Sequence, residues 1–293
     1  MKSLTVPFPY IGGKCRVSKQ ILSYMADHKI YVEPFFGSGG VFFKKGYKQV
    51  SSQENYREVI GDLDSNVTNF FEQLRNNYDE MMNKLQYLEY SEDLSKKAKT
   101  NSEYYINSNN IMKACLFFFN ACSSFSGKVN HGFAYSKISR NNVYTFQNKI
   151  KNLKNYVDRL KQTFIFNKSY DVLIDRFDTE ETLFYLDPPY LGCNKYAIQK
   201  KIPFNFDKFV TDVKAIKGKF ILSYYKSDWL LDNFSDYNII DIKHSPTCAG
   251  KLVNGKRHIK EGSDECIVLN YDPEKVNLWT GEEIKSKGDL FKL

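Results

Sequence analysis

Residues 182–190, TLFYLDPPY, constrain the fold of this chain more than any other stretch. Residues 183–186 are a short apolar run that includes two aromatic side chains, which is typical of a buried β-strand. The strand must end at Asp187, because the two prolines that follow cannot continue a β-ladder. Open α/β sheets bind their ligands at the carboxyl ends of their strands. The stretch therefore predicts an α/β protein with a functional site beside Asp187.

The residue types in this stretch suit one kind of substrate, an amino group attached to a nucleic-acid base. Such a nitrogen is a poor nucleophile because its lone pair is delocalised into the ring. Ionised Asp187 and the carbonyl oxygen of Pro188 can accept its hydrogens, and Tyr190 can stack on a base that has left the helix. The same residues also fit a strand end closed by a Pro188–Pro189 turn with Asp187 as a cap. From these residues alone, both interpretations stay open.

Residues 30–43, IYVEPFFGSGGVFF, predict a strand, a glycine turn and a helix in succession. The apolar run ends at Glu33, Pro34 stops the strand, and the three glycines between residues 37 and 40 form the turn. This order of elements is used to bind nucleotide-like cofactors. It does not match the dinucleotide pattern GxGxxG, because Phe42 stands where the third glycine is expected. A dehydrogenase is therefore disfavoured.

The next strand-like run, residues 59–62, ends in an acidic tip. An acidic residue after the second strand can accept both hydroxyls of a ribose, and Asp62 is the candidate because it ends the apolar run. Asp64 is the candidate N-cap of the helix that follows. The alternative is that both carboxylates are caps.

Residues 67–161 differ in character, since charged and amide residues dominate and apolar residues recur at helical spacing. A buried helix is predicted over residues 111–120, followed by a polar loop that carries Lys128 and by the basic run 136–142. Basic side chains among amides and aromatics suit contacts to phosphates and base edges. A solvated helical insertion is the alternative.

Asp171 follows a predicted strand at residues 163–166. It could accept the amino hydrogens of a cofactor's adenine, or it could cap a helix over residues 172–175.

A hairpin is predicted around Asn254-Gly255, whose arms include Lys256 and Arg257. This basic ribbon could lie along a nucleic-acid backbone, or it could be a solvated edge hairpin.

Charge and cysteine usage narrow the class of protein. The formal net charge is +8, which suits a polyanionic partner. The six cysteines form no CxxC pair, and neither they nor the four histidines have metal-ligand spacing. The amino terminus lacks an apolar signal segment, and the longest apolar run is too short to span a bilayer. We expect an intracellular protein in a reducing compartment, with no membrane association and no metal.

Taken in order, the motifs PYIGGK, VEPFFGSGGVFF, GDLD, LDPPY and ECIVLNY resemble the Dam-type (D12 class) DNA adenine methyltransferases. The resemblance covers nearly the whole chain apart from its middle. It implies the α/β class I S-adenosylmethionine-dependent methyltransferase fold, a Rossmann-like doubly wound sheet with a mostly helical target-recognition insertion. The expected organisation is a catalytic domain formed by residues 1–66 and 162–293, interrupted by a target-recognition domain at 67–161.

The resemblance also implies roles for individual residues. The expected donor-binding residues for S-adenosylmethionine are Tyr10, Lys14, Glu33, Pro34, Phe35, Gly37, Gly39, Asp62, Asp171 and Asp187. The expected catalytic residues, which would hold a flipped adenine, are Asp187, Pro188, Pro189 and Tyr190. The expected nucleic-acid contacts are Asn120, Lys128, Arg140, Lys256 and Arg257.

The leading interpretation is a site-specific adenine methyltransferase that acts on double-stranded DNA in the cytoplasm of a bacterium or phage-infected cell, in association with the nucleoid. A cognate restriction endonuclease would be a partner if the chain belongs to a restriction–modification system. The alternatives are an amino methyltransferase acting on RNA or another amine, and a DNA-binding relative without catalysis. Because Asn120 is followed by Ala-Cys-Ser-Ser-Phe rather than the Gly-Leu of GATC-reading members, no target sequence is assigned.

Overall fold

The computed structural model describes residues 4–45, 55–136, 141–191, 202–242, 250–253, 256–259 and 265–273 of the 293-residue chain. The chain forms two compact units. The first comprises Met1–Gly13, Phe36–Tyr47 and Glu58–Ser169, and the second comprises Lys14–Phe35, Lys48–Arg57 and Tyr170–Leu293. Both units cut across the domain boundaries expected from the sequence, and those functional boundaries stay a prediction.

Helices and strands alternate along the described chain except between Ser65 and Leu160, where the described elements are helices, and after Asn238, where they are strands. The strands are β1 (Ile30–Glu33), β2 (Arg57–Gly61), β3 (Thr163–Phe166), β4 (Thr182–Leu186), β5 (Lys219–Tyr225), β6 (Asn238–Ile242), β7 (Gly250–Val253), β8 (Lys256–Ile259) and β9 (Glu265–Leu269). The helices are α1 (Ser18–Leu22), α2 (Phe42–Lys45), α3 (Ser65–Asn76), α4 (Tyr78–Leu85), α5 (Glu92–Lys97), α6 (Glu103–Asn107), α7 (Asn110–Ser123), α8 (Asn142–Asn152), α9 (Lys154–Leu160), α10 (Tyr170–Phe177), α11 (Phe206–Lys214) and α12 (Asp228–Phe234), with a 3-10 turn at Phe125–Gly127.

The main sheet is mixed, with seven strands in the order β3-β2-β1-β4-β5-β9-β6, and β7 pairs with β8 separately. Strands β2 and β3 are parallel, as are β1, β4 and β5, whereas β9 runs antiparallel to both β5 and β6. The α/β class predicted from the sequence is confirmed. Because β1, β4 and β5 are parallel, their carboxyl ends lie at one edge of the sheet.

Strand β4 shows why the sequence specifies this sheet so clearly. All five of its residues are buried, which is expected when a central parallel strand is covered on both faces. It ends at Leu186, directly before Asp187, and β1 ends at Glu33 before Pro34, as predicted. The two arms of the predicted hairpin are present as the antiparallel pair β7 and β8, and its turn residues Asn254 and Gly255 lie outside the described residues.

Two parts of the second unit differ from the sequence prediction. The sequence predicts a helix from about Val17 to His28, but helix α1 ends at Leu22. The Ser23 hydroxyl donates to the carbonyl of Gln20 at 2.7 Å, so the serine competes locally with helix continuation. Strand β6 and helix α12 were not predicted, because β6 is only partly buried and lacks a long apolar run.

The first unit is held by an aromatic core. The ring centroids of Phe8 and Phe70 are 5.0 Å apart, those of Phe36 and Phe71 are 4.9 Å apart, and all four side chains are buried. Such edge-to-face pairs add to the free energy gained from burial. Within the described part of residues 67–161 the helices are α3 to α9, so the insertion is mostly helical as predicted.

A buried ion network lies beside this core. The Glu58 carboxylate accepts hydrogen bonds from Lys45 Nζ at 2.8 Å and from both terminal nitrogens of Arg159, one of them at 2.8 Å. The Arg159 guanidinium also lies 3.6 Å from the ring centroid of Phe42. Burial by itself would raise the pKa of Glu58, but the two cations outweigh it and lower that pKa to about 2.

Candidate active site

Asp187 lies at the carboxyl end of β4, as predicted, and its side chain is 18% exposed. Its two carboxylate oxygens accept hydrogen bonds from Lys14 Nζ at 2.7 and 2.9 Å. The Tyr190 hydroxyl lies 3.3 Å from Asp187 Oδ1. The strand fixes the backbone of Asp187, and the prolines that follow turn the chain so that Tyr190 returns to the carboxylate.

Lys14 joins this carboxylate to a second one that the sequence did not single out. Its Nζ lies 3.0 Å from Glu265 Oε1 and donates to the Tyr190 hydroxyl oxygen at 2.7 Å. The Lys14 side chain is only 6% exposed, and so is that of Glu265. Lysine has three N–H donors, and Asp187, Tyr190 and Glu265 each provide an acceptor within reach.

The charges in this cluster shift each other's pKa values. Burial alone would lower the pKa of Lys14, but Asp187 and Glu265 outweigh it and raise that pKa above its ordinary value, so Lys14 is a cation. Burial raises the pKa of Asp187 to about 6; the Lys14 charge opposes this shift and the Glu265 charge adds to it. At neutral pH Asp187 is therefore mostly ionised and able to accept hydrogen bonds.

Tyr190 is held by its ring as well as by its hydroxyl. Its ring centroid lies 4.3 Å from that of Tyr225 and 4.8 Å from that of Tyr224, both at the end of β5. The Tyr190 hydroxyl is also 3.2 Å from Glu265 Oε1, so its single proton has two carboxylate acceptors. Its predicted stacking on a flipped base stays a prediction.

In the first unit, the glycine turn and the tip of β2 contact each other. The Gly37 backbone N–H donates to Asp62 Oδ2 at 2.8 Å, and the Asp64 N–H donates to Asp62 Oδ1 at 2.9 Å. Gly37 has a φ of +51°, and a Cβ there would lie 3.0 Å from Tyr10 Cδ1. The turn therefore needs glycine at this position and holds Tyr10 and Asp62 against it.

Asp62 has the features of a ligand-binding carboxylate. Burial raises its pKa to about 7, and the charge of Asp64 adds to that shift while the hydrogen bonds from backbone N–H groups oppose it. A carboxylate has about four lone-pair sites, so the backbone donors of Gly37, Leu63 and Asp64 leave capacity for a further hydrogen bond. Asp64, in contrast, is the N-cap of α3 and accepts from the Asn66 N–H at 3.0 Å, as predicted.

In the second unit, the residues around the end of β1 have protein partners. Glu33 is buried and accepts a hydrogen bond from the Tyr31 hydroxyl at 2.8 Å. Phe35 stacks on Tyr170, with centroids 5.5 Å apart. Asp171 lies in the first turn of α10, rather than at its N-cap, and pairs with Lys208 Nζ at 2.9 Å.

The predicted nucleic-acid contacts fall in different settings. Asn120 is only 2% exposed, and its side chain bonds to the Ala98 carbonyl, the Asn130 backbone N–H and the Ser124 hydroxyl, so it holds the loop that follows α7. Lys128 is half-buried in that loop. Arg140 lies outside the described residues. The backbones of Lys256 and Arg257 form β8.

Glu265 is the functional candidate that sequence reasoning missed. It is the first residue of β9, and the four residues after it are apolar and buried. A carboxylate that opens a fully buried strand has to be paired or hydrogen-bonded, which is the signal that could have identified it. Its partner Lys14 is 251 positions away in the sequence, and sequence alone does not connect the two.

Metal sites and membrane spans are absent from the described part of the chain. No group of three or more His, Cys, Asp or Glu side chains there could hold a metal ion. None of the helices described is both long and apolar enough to cross a membrane.

Together, the strand order and the Asp-Pro-Pro-Tyr segment after β4 define a class of protein, the class I methyltransferases that act on amino groups. Comparison with known families gives the particular family. The model of the D12 class N6 adenine-specific DNA methyltransferases matches residues 10–247, and the chain belongs to that family. It is therefore an adenine-specific DNA methyltransferase that requires a methyl donor and has DNA as its substrate.

Two curated relatives agree with this assignment. The chain is 25% identical over 297 aligned residues to the type II methyltransferase M.MjaIII of Methanocaldococcus jannaschii, an alignment that covers 89% of this chain and 97% of the relative. It is 37% identical over 68 residues to the DNA N-6-adenine-methyltransferase of Escherichia phage P1. That second alignment covers 23% of this chain and 8% of the phage protein.

Proposed function

We propose that this protein transfers the methyl group of S-adenosylmethionine to the 6-amino group of an adenine that has left the helix of duplex DNA. The observation that carries this proposal is Asp187 at the carboxyl end of β4, ionised at neutral pH and fixed by Lys14 and Tyr190. An acceptor-only carboxylate at this place can take a hydrogen of the amino group and make its nitrogen more nucleophilic. The carbonyl of Pro188 is the proposed second acceptor, with Pro189 fixing the turn and Tyr190 stacking on the base.

The residues present fit S-adenosylmethionine, which when bound supplies an electrophilic methyl group. In the first unit, Asp62 would accept the ribose hydroxyls, and Gly37 and Gly39 would let the backbone approach the donor beside Tyr10. In the second unit the resemblance adds Lys14, Glu33, Pro34, Phe35 and Asp171 to this set. Asp62 is supported by its free acceptor capacity. The described partners of Lys14 belong to the Asp187 cluster, so this residue would connect the donor with that cluster.

Recognition of the target would be the role of residues 67–161, with Asn120 supporting the loop that carries Lys128. Arg140, Lys256 and Arg257 are proposed phosphate contacts. Because M.MjaIII is named a type II methyltransferase, we propose a restriction–modification or phage context in the cytoplasm, with a cognate endonuclease as the partner in the former case.

The test is methyl transfer from labelled S-adenosylmethionine to genomic DNA that lacks adenine methylation, with RNA as a parallel substrate and digestion to nucleosides. We expect label in 6-methyladenine from duplex DNA. Label on RNA alone, or no label from a protein that still binds the donor, would overturn the proposal.

The same assay tests the role of Asp187. Asp187→Ala should lower the transfer rate by at least about 100-fold, because the acceptor for the amino group is removed, while donor binding measured by equilibrium dialysis stays largely intact. The matched control is Asp241→Ala, which removes an exposed carboxylate of β6 that pairs with Lys226. Equal rates in the two variants would refute the assignment of Asp187.

A further inference from the structure

Lys14 is shared by two carboxylates, since its ammonium lies within ion-pair distance of both Asp187 and Glu265. Its Nζ lies 2.7 Å from Asp187 Oδ1 and 3.0 Å from Glu265 Oε1. All three side chains are largely shielded from water, with exposures of 6%, 18% and 6% for Lys14, Asp187 and Glu265. In such surroundings an unpaired charge is costly, so the ion pairs that Lys14 makes with these two carboxylates bear on the free energy of the site.

This sharing bears on the proposed chemistry of Asp187. Lys14 contacts both of its oxygens, and a carboxylate whose charge is neutralised by an ammonium is a weaker acceptor for another donor. An adenine amino group that binds Asp187 must therefore compete with Lys14. If Lys14 had no second carboxylate, moving away from Asp187 would leave a buried ammonium without a counter-charge.

Glu265 is placed to be that second carboxylate. It is the first residue of β9, and in the antiparallel register it pairs with Tyr225 of β5, one of the two tyrosines whose rings contact Tyr190. Besides Lys14, its Oε1 lies 3.2 Å from the Tyr190 hydroxyl and 3.4 Å from the Ser223 hydroxyl. Its backbone is fixed by the sheet, while Lys14 has a long side chain whose ammonium lies within reach of both acceptors.

We propose that Glu265 is a positioning residue that takes over the Lys14 ammonium when the target amino group binds Asp187. Lys14 remains paired throughout, and Asp187 becomes a full-strength acceptor only when the base is present. This inference rests on the proposed role of Asp187, and it adds a residue and a function to that site.

Other titratable groups lie close to Asp187 and must be considered in a pH test. Tyr190 follows Asp187 in the same segment, and Tyr185 of β4 interacts electrostatically with Asp187, Glu265 and Glu33. Burial and neighbouring carboxylates raise the pKa of Tyr185 well above its usual value, so it stays neutral at the pH of the test. The groups whose charges move Asp187 most directly are Lys14, which lowers its pKa, and Glu265, which raises it.

The experiment follows the pH dependence of kcat/KM for DNA, which reports the ionisation of groups in the enzyme before DNA binds. The wild type should lose activity as the pH falls through about 6, where Asp187 becomes protonated. Glu265→Gln should move this acid limb to lower pH, because the charge that raises the pKa of Asp187 is removed. It should also lower kcat on the plateau about tenfold, because Lys14 then stays paired with Asp187. Lys14→Met should move the limb to higher pH.

The result that tests the inference is that the two variants shift the acid limb in opposite directions. The acid limb of the double variant should lie between those of the single variants. A purely structural role for Glu265 would lower the free energy of unfolding without moving the limb, and an unmoved limb in folded Glu265→Gln overturns the inference. Asp241→Asn is the matched control, since it neutralises a carboxylate on the neighbouring strand β6 that pairs with an exposed lysine. If Asp187→Asn remained fully active, the proposed function of the site would fail first, and that outcome is distinct from an unmoved limb.

Discussion

Gly39 is fixed in its turn by two independent constraints. Its φ is +72°, a conformation that residues with a side chain adopt at a cost. A Cβ at this position would lie 2.6 Å from Phe36 Cζ and 2.8 Å from Phe43 Cδ2, within the aromatic core of the first unit. The glycine turn predicted from VEPFFGSGG is thus required for packing as well as for approach to a ligand.

Gly39→Ala should therefore lower the free energy of unfolding by about 1–3 kcal/mol, as expected for a strained backbone and an overpacked core. Urea unfolding followed by circular dichroism measures this change. The control is Gly132→Ala, in which the added Cβ would lie 3.8 Å from Phe125 Cδ2, an ordinary contact. If both variants unfolded at the same urea concentration, the strain attributed to Gly39 would be absent.

The roles of some single residues could be predicted from the sequence, whereas those of others depend on partners far away in the chain. Asp187, Asp62 and Asp64 could be placed from the sequence because each one terminates an apolar run or begins a helix. The partners of Lys14 could not, because Asp187 is 173 positions away and the two meet only in the folded chain. The hydrogen bonds of the Asn120 amide to Ala98 and Asn130 could not be predicted either, and its contact with nucleic acid stays a prediction.

Among the elements, the β7–β8 hairpin has the clearest untested role. Its two strands are four residues each, and it pairs with no other strand of the described chain. A basic ribbon of this kind binds DNA mainly through phosphates, which makes its contribution dependent on salt and independent of sequence.

Replacing Lys256 and Arg257 together with alanine should weaken DNA binding and reduce the slope of log Kd against log salt by about two, one for each phosphate that the variant no longer neutralises. Fluorescence anisotropy over a series of salt concentrations gives the slope. The control removes two lysines at the amino ends of parallel strands, Lys29, which precedes β1, and Lys219, which begins β5. A slope equal to that of this control would identify the hairpin as a solvated edge.

The elements also divide into those that the sequence specifies and those that it does not. Strands β1, β4 and β5 are buried and read as apolar runs with clear stops, so their positions were predictable. Strand β6 contacts the rest of the sheet through β9 alone and has exposed residues at positions 238 and 241, which removes the apolar signal. The insertion of β9 between β5 and β6 is a long-range pairing that no local pattern encodes.

At the scale of the whole molecule, the Glu58 network ties together three separate segments of the first unit, since α2, β2 and α9 each contribute one charged residue. Removing one partner of a buried ion pair leaves an uncompensated charge, which is costly in a site that water does not reach.

Arg159→Leu should lower the free energy of unfolding at neutral pH by about 3 kcal/mol. Because the folded-state pKa of Glu58 is lowered to about 2 from 4.5, the stabilisation is complete above pH 4.5 and is lost as the pH falls through about 2. The difference between wild type and variant should thus be constant at neutral pH and shrink in acid. Urea titrations across this pH range test it, with Lys161→Ala, which breaks the exposed pair with Asp158, as a control expected to have little effect.

The position of β9 between β5 and β6 has a consequence for how the protein is made. Residues 265–269 leave the ribosome after both of the strands that they join, so β5 and β6 have no shared neighbour while the chain is being synthesised. Unpaired strand edges are templates for association with other chains, and this interval lasts on the order of seconds at ordinary rates of translation. Glu265 arrives with the same strand, and Lys14 is therefore synthesised long before its second carboxylate. The nascent chain consequently lacks the complete charge cluster until late in translation, and we expect its methylating activity to be acquired only after β9 has inserted.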